Sequence, residues 1–316
     1  MRIVADIGGT NARFARVDDA GELHDAEVLG TAAHATLVDA LNAYRQAKGV
    51  DAVTAVCLAV AGPVTGTRAV LTNATWEFDG DALSAAIGAP VRLINDFYAQ
   101  AAGLPGLNAG NVEAYGGGDP GAGVRLVLGP GTGMGVAAWL PPTGMERRGT
   151  VIPTETGHTD AAAGDALEAE LIGVLRGRFN HVTYEHVLNG PGLGYLYWAM
   201  AQLWGVEDSS LEHIAPAEVT QRALRDEEPM AMHTLEVYAN WLGNFAGNLA
   251  LTFLPRGGVF LTGAMAARLA PILSKGGYRR RFESRPTLAA MLRNIPTARI
   301  TDLDFGLRGA ALCLPE

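Results

Sequence analysis

Two short apolar runs, Arg2-Ile-Val-Ala-Asp6 and Ala12-Arg-Phe-Ala-Arg-Val17, are separated by Gly8-Gly9-Thr10. The same figure returns about 120 residues later, which marks a weak internal repeat. There Val124-Arg-Leu-Val-Leu128 runs into Gly129-Pro-Gly-Thr-Gly133, and Met134 to Leu140 runs out again. An apolar strand, a Gly/Thr turn and a second apolar strand predict a β-hairpin in each place. A chain carrying two such hairpins is confined to folds in which two halves each offer a glycine-rich turn. Glycine lets backbone N–H groups approach a phosphate with no Cβ in the way, and Thr10 adds a hydroxyl. A plain hairpin connection remains the other reading of either turn, since Gly-Gly is common there. No G-x-x-x-x-G-K-[ST] run is present, so the site is not of the Walker type.

The rest of the chain alternates strands with helices. Leu37, Leu41 and Tyr44 recur at helical spacing, and Gly49 is placed to end that helix. Val53 to Val60 is a near-continuous apolar run, as expected of a strand covered on both faces. Val91 to Ile94 predicts another strand, followed by a helix from Phe97 towards Ala102. This alternation gives an α/β class with a mainly parallel sheet. At 316 residues two domains are expected, and the Gly-, Pro- and Asn-rich segment Leu104 to Gly123 reads as the crossing between them. Farther on, Asp165 and Glu168 suggest a capping box. Leu235, Tyr238, Leu242, Phe245, Leu249 and Phe253 predict a long buried helix stopped by Pro255. Gly258 to Gly263 reads as a strand with a terminal glycine, leading into a helix from Ala264 to Leu273.

Composition narrows the function. A net charge of −9 argues against nucleic acid or an anionic membrane as the main partner. The longest apolar stretch, Ala52 to Gly62, is about half the roughly 20 residues a membrane-spanning helix needs. Asp6 interrupts the apolar run of a would-be signal peptide, so a cytoplasmic protein is expected. The two cysteines, Cys57 and Cys313, sit in apolar runs and read as buried thiols, too few for a thiolate zinc site. Arg279-Arg-Arg281 with Arg285 reads as a solvated basic face, and Trp198, Trp204 and Trp241 as core.

Several residues are candidates for chemistry. Asp6, at a strand end beside the first turn, is placed to hold a hydrated Mg²⁺ next to phosphates. Asn95-Asp96 follows a parallel strand, where a carboxylate faces the crevice in which such sheets bind ligands. There Asp96 can take a proton from a substrate hydroxyl; the same dipeptide also suits a helix N-cap. Glu155, His158 and Glu185 can ring a polyol with acceptors and donors, although a lone glutamate is as readily an exposed helix residue. Gly131, Thr132 and Gly133 form the second candidate phosphate turn. Gly263 would leave room for an adenosine.

Taken in order, these segments resemble the bacterial ATP-dependent glucokinases of the non-ROK type over nearly the whole chain. The likeness rests on Asp6-Ile-Gly-Gly-Thr-Asn-Ala-Arg13, Thr72-Asn-Ala-Thr-Trp76 and Ile94-Asn-Asp-Phe97. It continues through Gly131-Thr-Gly133, Glu155-x-Gly-His158, Glu185, Val187-Leu-Asn-Gly-Pro-Gly-Leu193 and Gly257-Gly-Val-Phe-Leu-Thr-Gly263. The resemblance implies a two-domain actin-like (ribonuclease-H-like) sugar kinase fold with a cleft between domains. It assigns residues 1–107 plus 301–316 to a small domain and 108–300 to a larger one. It also implies transfer of the γ-phosphate of ATP to the 6-hydroxyl of D-glucose, and a homodimer. Asp96 is then the base, and Asn95, Asp96, Glu155, His158 and Glu185 meet the sugar. Asp6, Gly8, Gly9 and Thr10 meet the phosphates and Mg²⁺, with Gly131, Thr132, Gly133 and Gly263 completing the nucleotide site.

Three residues depart from the family pattern. Pro130 removes one N–H from the second turn, Thr156 stands where a glycine is expected, and Ala264 stands where a second glycine often follows Gly263. The two cysteines exclude the zinc-bearing ROK branch. The alternatives are a kinase of another hexose, or a non-catalytic sugar sensor. A sensor of the regulator type is expected to carry a DNA-binding segment ahead of the first turn, whereas Asp6 is already the sixth residue.

Overall fold

A computed structural model describes residues 1–71, 76–144 and 149–315. Of the segment 72–76, only Trp76 falls among them; Thr72, Asn73, Ala74 and Thr75 lie outside the described residues. The chain divides into two compact units: Met1–Asn108, Pro142–Pro153 and Asp302–Glu316 form one, Ala109–Pro141 and Thr154–Thr301 the other.

The first unit is built on a hairpin, β1 (Arg2–Ile7) and β2 (Asn11–Val17), continued by β3 (Leu23–Gly30). β4 (Ala55–Val60) and β8 (Val91–Asn95) extend the sheet, giving the order β3-β2-β1-β4-β8. Between them the short strands β5 (Val64–Thr65), β6 (Arg68–Ala69) and β7 (Phe78–Asp79) make a separate antiparallel sheet. β1, β4 and β8 are parallel, and every residue of β4 is buried because both sheet faces are covered. Side chains alternate between two apolar clusters, as the pleat requires. Ile3, Ala5, Ile7, Leu58 and Val60 pack on one face with Leu37, Leu41 and Tyr44 of the helix Leu37–Lys48. That helix starts in a Thr36/Asp39 capping box and ends at Gly49, whose φ of 64° is left-handed. Val4, Cys57 and Ala59 face the other way, against Ala99, Leu307, Ala310 and Cys313. Both thiols are buried.

That second face is covered by the helices Asp96–Gly103 and Phe305–Ala311, which pack through glycines. A Cβ on Gly309 would collide with the Ala99 carbonyl oxygen, and one on Gly103 would lie 3.1 Å from the Phe305 ring. Backbone meets backbone here, so the C-terminal helix fixes where the helix headed by Asp96 lies.

The second unit repeats the plan. Its hairpin is β10 (Arg125–Pro130) and β11 (Met134–Leu140), with β9 (Val112–Gly116) before it and β12 (Thr150–Thr154), of which only Thr154 falls in this unit, after it. β13 (Gly258–Leu261) and β14 (Thr297–Ile300) run parallel to β10, and β9 closes the edge antiparallel to β14. The order β2-β1-β4-β8 in the first sheet is matched by β11-β10-β13-β14 in the second. The repeat first seen as two Gly/Thr turns is therefore a repeat of whole sheet topology. A large apolar core gathers around the buried helix Pro229–Phe253, with Tyr238, Trp241, Leu242 and Phe245 at its centre.

Four expectations need correcting in detail. The supposed crossing segment contains β9, a half-buried edge strand hidden among glycines. The expected helix from Ala264 breaks into Ala264–Arg268 and Ala270–Leu273, next to Pro271, which has no N–H to give. Trp204 is 51% exposed, at the end of the helix Gly190–Leu203, whereas Trp241 is fully buried. The arginine cluster is tied into the fold except at Arg280, which is exposed. Arg279 is buried and donates to the carbonyls of Leu292, Arg293 and Ile295, to Thr297 Oγ1 and to Glu283. Arg281 pairs with buried Glu168 at 2.6 Å, which draws that carboxylate from the expected capping box; Asp165 still accepts the Glu168 N–H.

Glycine-to-alanine pairs test the helix contact in urea. Gly309→Ala should cost about 1–3 kcal/mol by overpacking. Gly173→Ala, in the exposed face of the helix Ala166–Phe179 with nothing near its Cβ, should gain about 0.5–1 kcal/mol. An unchanged midpoint for Gly309→Ala would remove the close approach at Ala99.

Candidate functional site

In the first unit, the turn between β1 and β2 has its carbonyls tied from behind. Thr31 donates its N–H to Thr10 O (3.0 Å) and its hydroxyl to Gly9 O (2.9 Å), and Ala61 donates to Ile7 O (2.9 Å). Gly8 N–H closes the turn on Asn11 O at 2.9 Å. The N–H groups of exposed Gly9 and Thr10 are left as the turn's remaining donors. With its carbonyls taken up, the turn has N–H groups left to offer an anion.

Asp6 and Asp96 lie at the carboxyl ends of β1 and β8, the two strands that flank β4. Asp6 stands opposite Arg13 in the hairpin register, and Asp96 follows Asn95, the last residue of β8. The Asn95 side chain is the N-cap of the helix Asp96–Gly103, accepting from Phe97 N–H (2.9 Å) and Tyr98 N–H (3.1 Å). Its amide donates to Gly62 O (3.1 Å) and to Asp96 Oδ1 (2.9 Å), which also accepts from Phe97 N–H at 3.0 Å. The capping role thus falls to Asn95, and Asp96 is oriented by it. Burial pushes the Asp96 carboxyl up to about 7, helped by the charge of Asp6, against the lowering effect of those hydrogen bonds. Burial likewise raises Asp6 to about 6, and Arg13 draws it down.

The C-terminal segment completes this corner. Arg13 donates to Leu303 O (2.7 Å) and Asp304 Oδ1 (2.8 Å). A Cβ on Gly306 would sit 2.7 Å from Asp6 Oδ2, so the carboxylate rests against the first turn of the helix Phe305–Ala311. Thr31, Arg13 and Gly306 carried no role in the sequence reading. Arg13 lay in the motif, but Thr31 and Gly306 had no local signal, since their partners are remote in the chain.

In the second unit the turn from Pro130 to Met134 is held in the same manner. Asn189 donates its amide to Thr132 O (2.9 Å), and Gly190 N–H donates to Gly131 O (2.8 Å). Gly131 N–H closes the turn on Gly133 O at 2.9 Å, leaving the N–H groups of Thr132 and Gly133 as donors. Pro130 is the last residue of β10, outside that pair, so its missing N–H takes nothing from them. Gly263, with φ 90°, packs on the Pro130 carbonyl, its Cβ position 2.8 Å from that oxygen.

Two of the candidate sugar residues of this unit, Glu185 and His158, come together beside Met134. Glu185, half-buried in the helix Tyr184–Leu188, accepts the Met134 N–H at 2.9 Å through Oε2. His158 Nε2 stands 3.9 Å from the same oxygen. A Cβ on Gly157 would collide with the Met134 carbonyl oxygen, so the turn Thr156–His158 lies directly on that peptide. Glu155 and His158 are exposed at its rim. Thr156 is accommodated by a hydroxyl pair with Thr154 at 3.1 Å. Among the described residues no cluster of histidine, cysteine and carboxylate groups is arranged to hold a metal by itself. Among the described residues no helix is long and apolar enough to cross a membrane.

The family model described as Glucokinase matches residues 3–316. A glucokinase of Chromobacterium violaceum is 37% identical over 317 residues, spanning 100% of this chain and 89% of that protein. The crystal structure of a glucokinase from an Antarctic psychrotroph superposes with a TM-score of 0.86 at 32% identity, covering 99% of this chain and 98% of the other. A ROK family glucokinase from Streptomyces griseus, solved with glucose and AMPPNP, superposes at 0.65 with 24% identity, over 98% of this chain and 97% of that one. At that distance only the actin-like fold is shared.

Stability against pH reads the carboxylate pair without any substrate. Both groups hold their proton to higher pH when folded than when unfolded, so their contribution is full below about pH 4 and is lost as pH rises through about 6 and 7. Asp96→Asn and Asp6→Asn should each melt above the wild type near pH 8, and the gain should vanish near pH 3. Equal melting at both pH values would show that the two carboxyls are not raised.

Proposed function

Because the chain belongs to the glucokinase family, we propose a division of labour in which ATP and D-glucose are brought together by the residues just described. The chain is an ATP-dependent hexose phosphotransferase. Asp96 Oδ2 accepts the proton of the sugar 6-hydroxyl as that oxygen attacks the γ-phosphorus. The bond from phosphorus to the ADP oxygen breaks, and glucose 6-phosphate and ADP leave. The observation that carries this reading is the Asp96 carboxyl itself, held by Asn95 and Phe97 N–H and raised to about 7. A base poised near the working pH takes a proton best in the transition state.

Asn95 already uses both amide hydrogens and its oxygen within the fold, so we assign it to holding Asp96; a sugar hydroxyl would have to displace one of those bonds. Glu155, His158 and Glu185 take the sugar hydroxyls. Gly8, Gly9 and Thr10 of one turn and Gly131, Thr132 and Gly133 of the other offer N–H groups to the phosphates, with Gly263 on the adenosine side. Asp6, an oxygen-only donor raised by burial, fits a hydrated Mg²⁺, which when bound neutralises phosphate charge. Phosphoryl transfer asks mainly for positioning and charge neutralisation, and these donors supply both. A cytoplasmic homodimer is the assembly we propose, supported by the family resemblance.

Sugar-dependent ADP release with MgATP tests the reading, with glucose, mannose, fructose, N-acetylglucosamine and no acceptor side by side. Turnover is expected with glucose, and kcat/KM should fall about tenfold per pH unit below about 7 as Asp96 takes its proton. Asp96→Asn should lower kcat by about 10²–10⁴ with a far smaller change in glucose KM. A variant that keeps most of its activity would remove Asp96 from the base role.

A further inference from the structure

The second turn holds two glycines in unlike surroundings. Neither Gly131 nor Gly133 has a positive φ, so backbone conformation demands glycine at neither position. A Cβ on Gly131 would meet no heavy atom within 4 Å. A Cβ on Gly133 would lie 2.6 Å from Glu185 Oε2 and 3.4 Å from its Cδ. That is too close for a methyl group and a carboxylate oxygen, so one of them would have to move. The oxygen in question is the one that accepts the Met134 N–H at 2.9 Å and stands 3.9 Å from His158.

We infer that Gly133 is a positioning residue of the sugar site, whose missing side chain lets the Glu185 carboxylate seat on the Met134 N–H. The inference rests on the assignment of Glu185 to the sugar and deepens it. The second turn then serves both substrates. Its Thr132 and Gly133 N–H groups face the phosphates, and the next N–H along the chain, that of Met134, fixes the carboxylate that grips the sugar. The carbonyls of the same turn are anchored by Asn189 and Gly190, so the mount for Glu185 is rigid. A methyl at position 133 pushes the carboxylate off this mount while leaving the turn's own N–H groups in place.

A double-mutant cycle on the full chain tests this, read as glucose KM, ATP KM and kcat. Wild-type turnover with glucose, and a raised glucose KM in Glu185→Ala, establish the assignment on which the inference stands. Gly133→Ala should then raise glucose KM at least about tenfold, the scale of a displaced hydrogen bond to a charged group, and by a larger factor than it raises ATP KM. In the Glu185→Ala background the same substitution should add nothing to glucose KM, because the collision has gone. Additive effects in the cycle, an unchanged glucose KM in Gly133→Ala, or a rise confined to ATP KM would overturn the inference. Should Gly133→Ala alone fail to fold, Gly133→Ala/Glu185→Ala is expected to fold with the melting temperature of Glu185→Ala. Failure of the double variant as well would overturn the inference.

Discussion

Two carboxylates in one desolvated corner are the constraint to which the first unit is fitted. Burial raises both Asp6 and Asp96 well above the ordinary carboxylate range, and the charge of Asp6 raises Asp96 further. Left alone, such a pair would splay or stay protonated. The fold limits both escapes with fixed donors: Asn95 amide and Phe97 N–H on Asp96, and the Arg13 guanidinium near Asp6. The closeness itself is enforced from behind by backbone contact. Gly306 admits Asp6, Gly309 admits Ala99, and the helix carrying Asp96 at its head cannot move away without losing that packing. A chain that needed only stability would not keep this arrangement, and its persistence is intelligible as the cost of a base poised near neutrality.

The second unit applies the same topology to different chemistry. Its hairpin begins the sheet in the same order, and its turn is again anchored by its carbonyls. No carboxylate stands at the end of β10 as Asp6 stands near the end of β1; glycine and proline occupy that place. The acid enters instead from the helix Tyr184–Leu188 and settles on the Met134 N–H. Met134 is thereby used on both sides, its N–H by Glu185 and its carbonyl by the close approach of Gly157. One hairpin end sets the relative placement of Glu185 and His158, which the sequence separates by 27 positions (185 − 158).

What the sequence made legible follows from the range of each signal. The hairpins, the buried strand Ala55–Val60 and the helix closed by Gly49 were readable because alternation, 3.6-residue spacing and a terminal glycine act over a few residues. The candidate residues Asp6, Asn95 and Asp96 were readable because strand ends and turns announce themselves. The arginine cluster was misread because composition cannot show that Arg279 has four backbone or hydroxyl acceptors waiting inside. Trp204 was misread because a tryptophan one residue past a helix end has the same spacing as one within it. The glycine contacts at positions 133, 157, 306 and 309 were illegible in principle. A glycine demanded by a neighbour distant in the chain looks like any other glycine; Gly133 was readable as part of a turn, but not the Glu185 carboxylate that its missing side chain admits, and none of the four has a positive φ.

The two turns show why the binding motif alone underdetermines a phosphate site. A Gly/Thr turn has as many carbonyls as N–H groups, and carbonyl oxygens repel an anion as strongly as the N–H groups attract it. The turn acquires a sign only when its oxygens are occupied elsewhere. Thr31 does this for the first turn through both its N–H and its hydroxyl, 21 positions beyond Thr10 (31 − 10). Asn189 and Gly190 do it for the second from the start of a helix. A threonine to valine exchange at position 31 would keep the N–H bond and lose the hydroxyl bond, returning the Gly9 carbonyl to the site. The polarity of the anion site thus belongs to residues outside the motif, and sequences that share the motif without such tethers need not share the site.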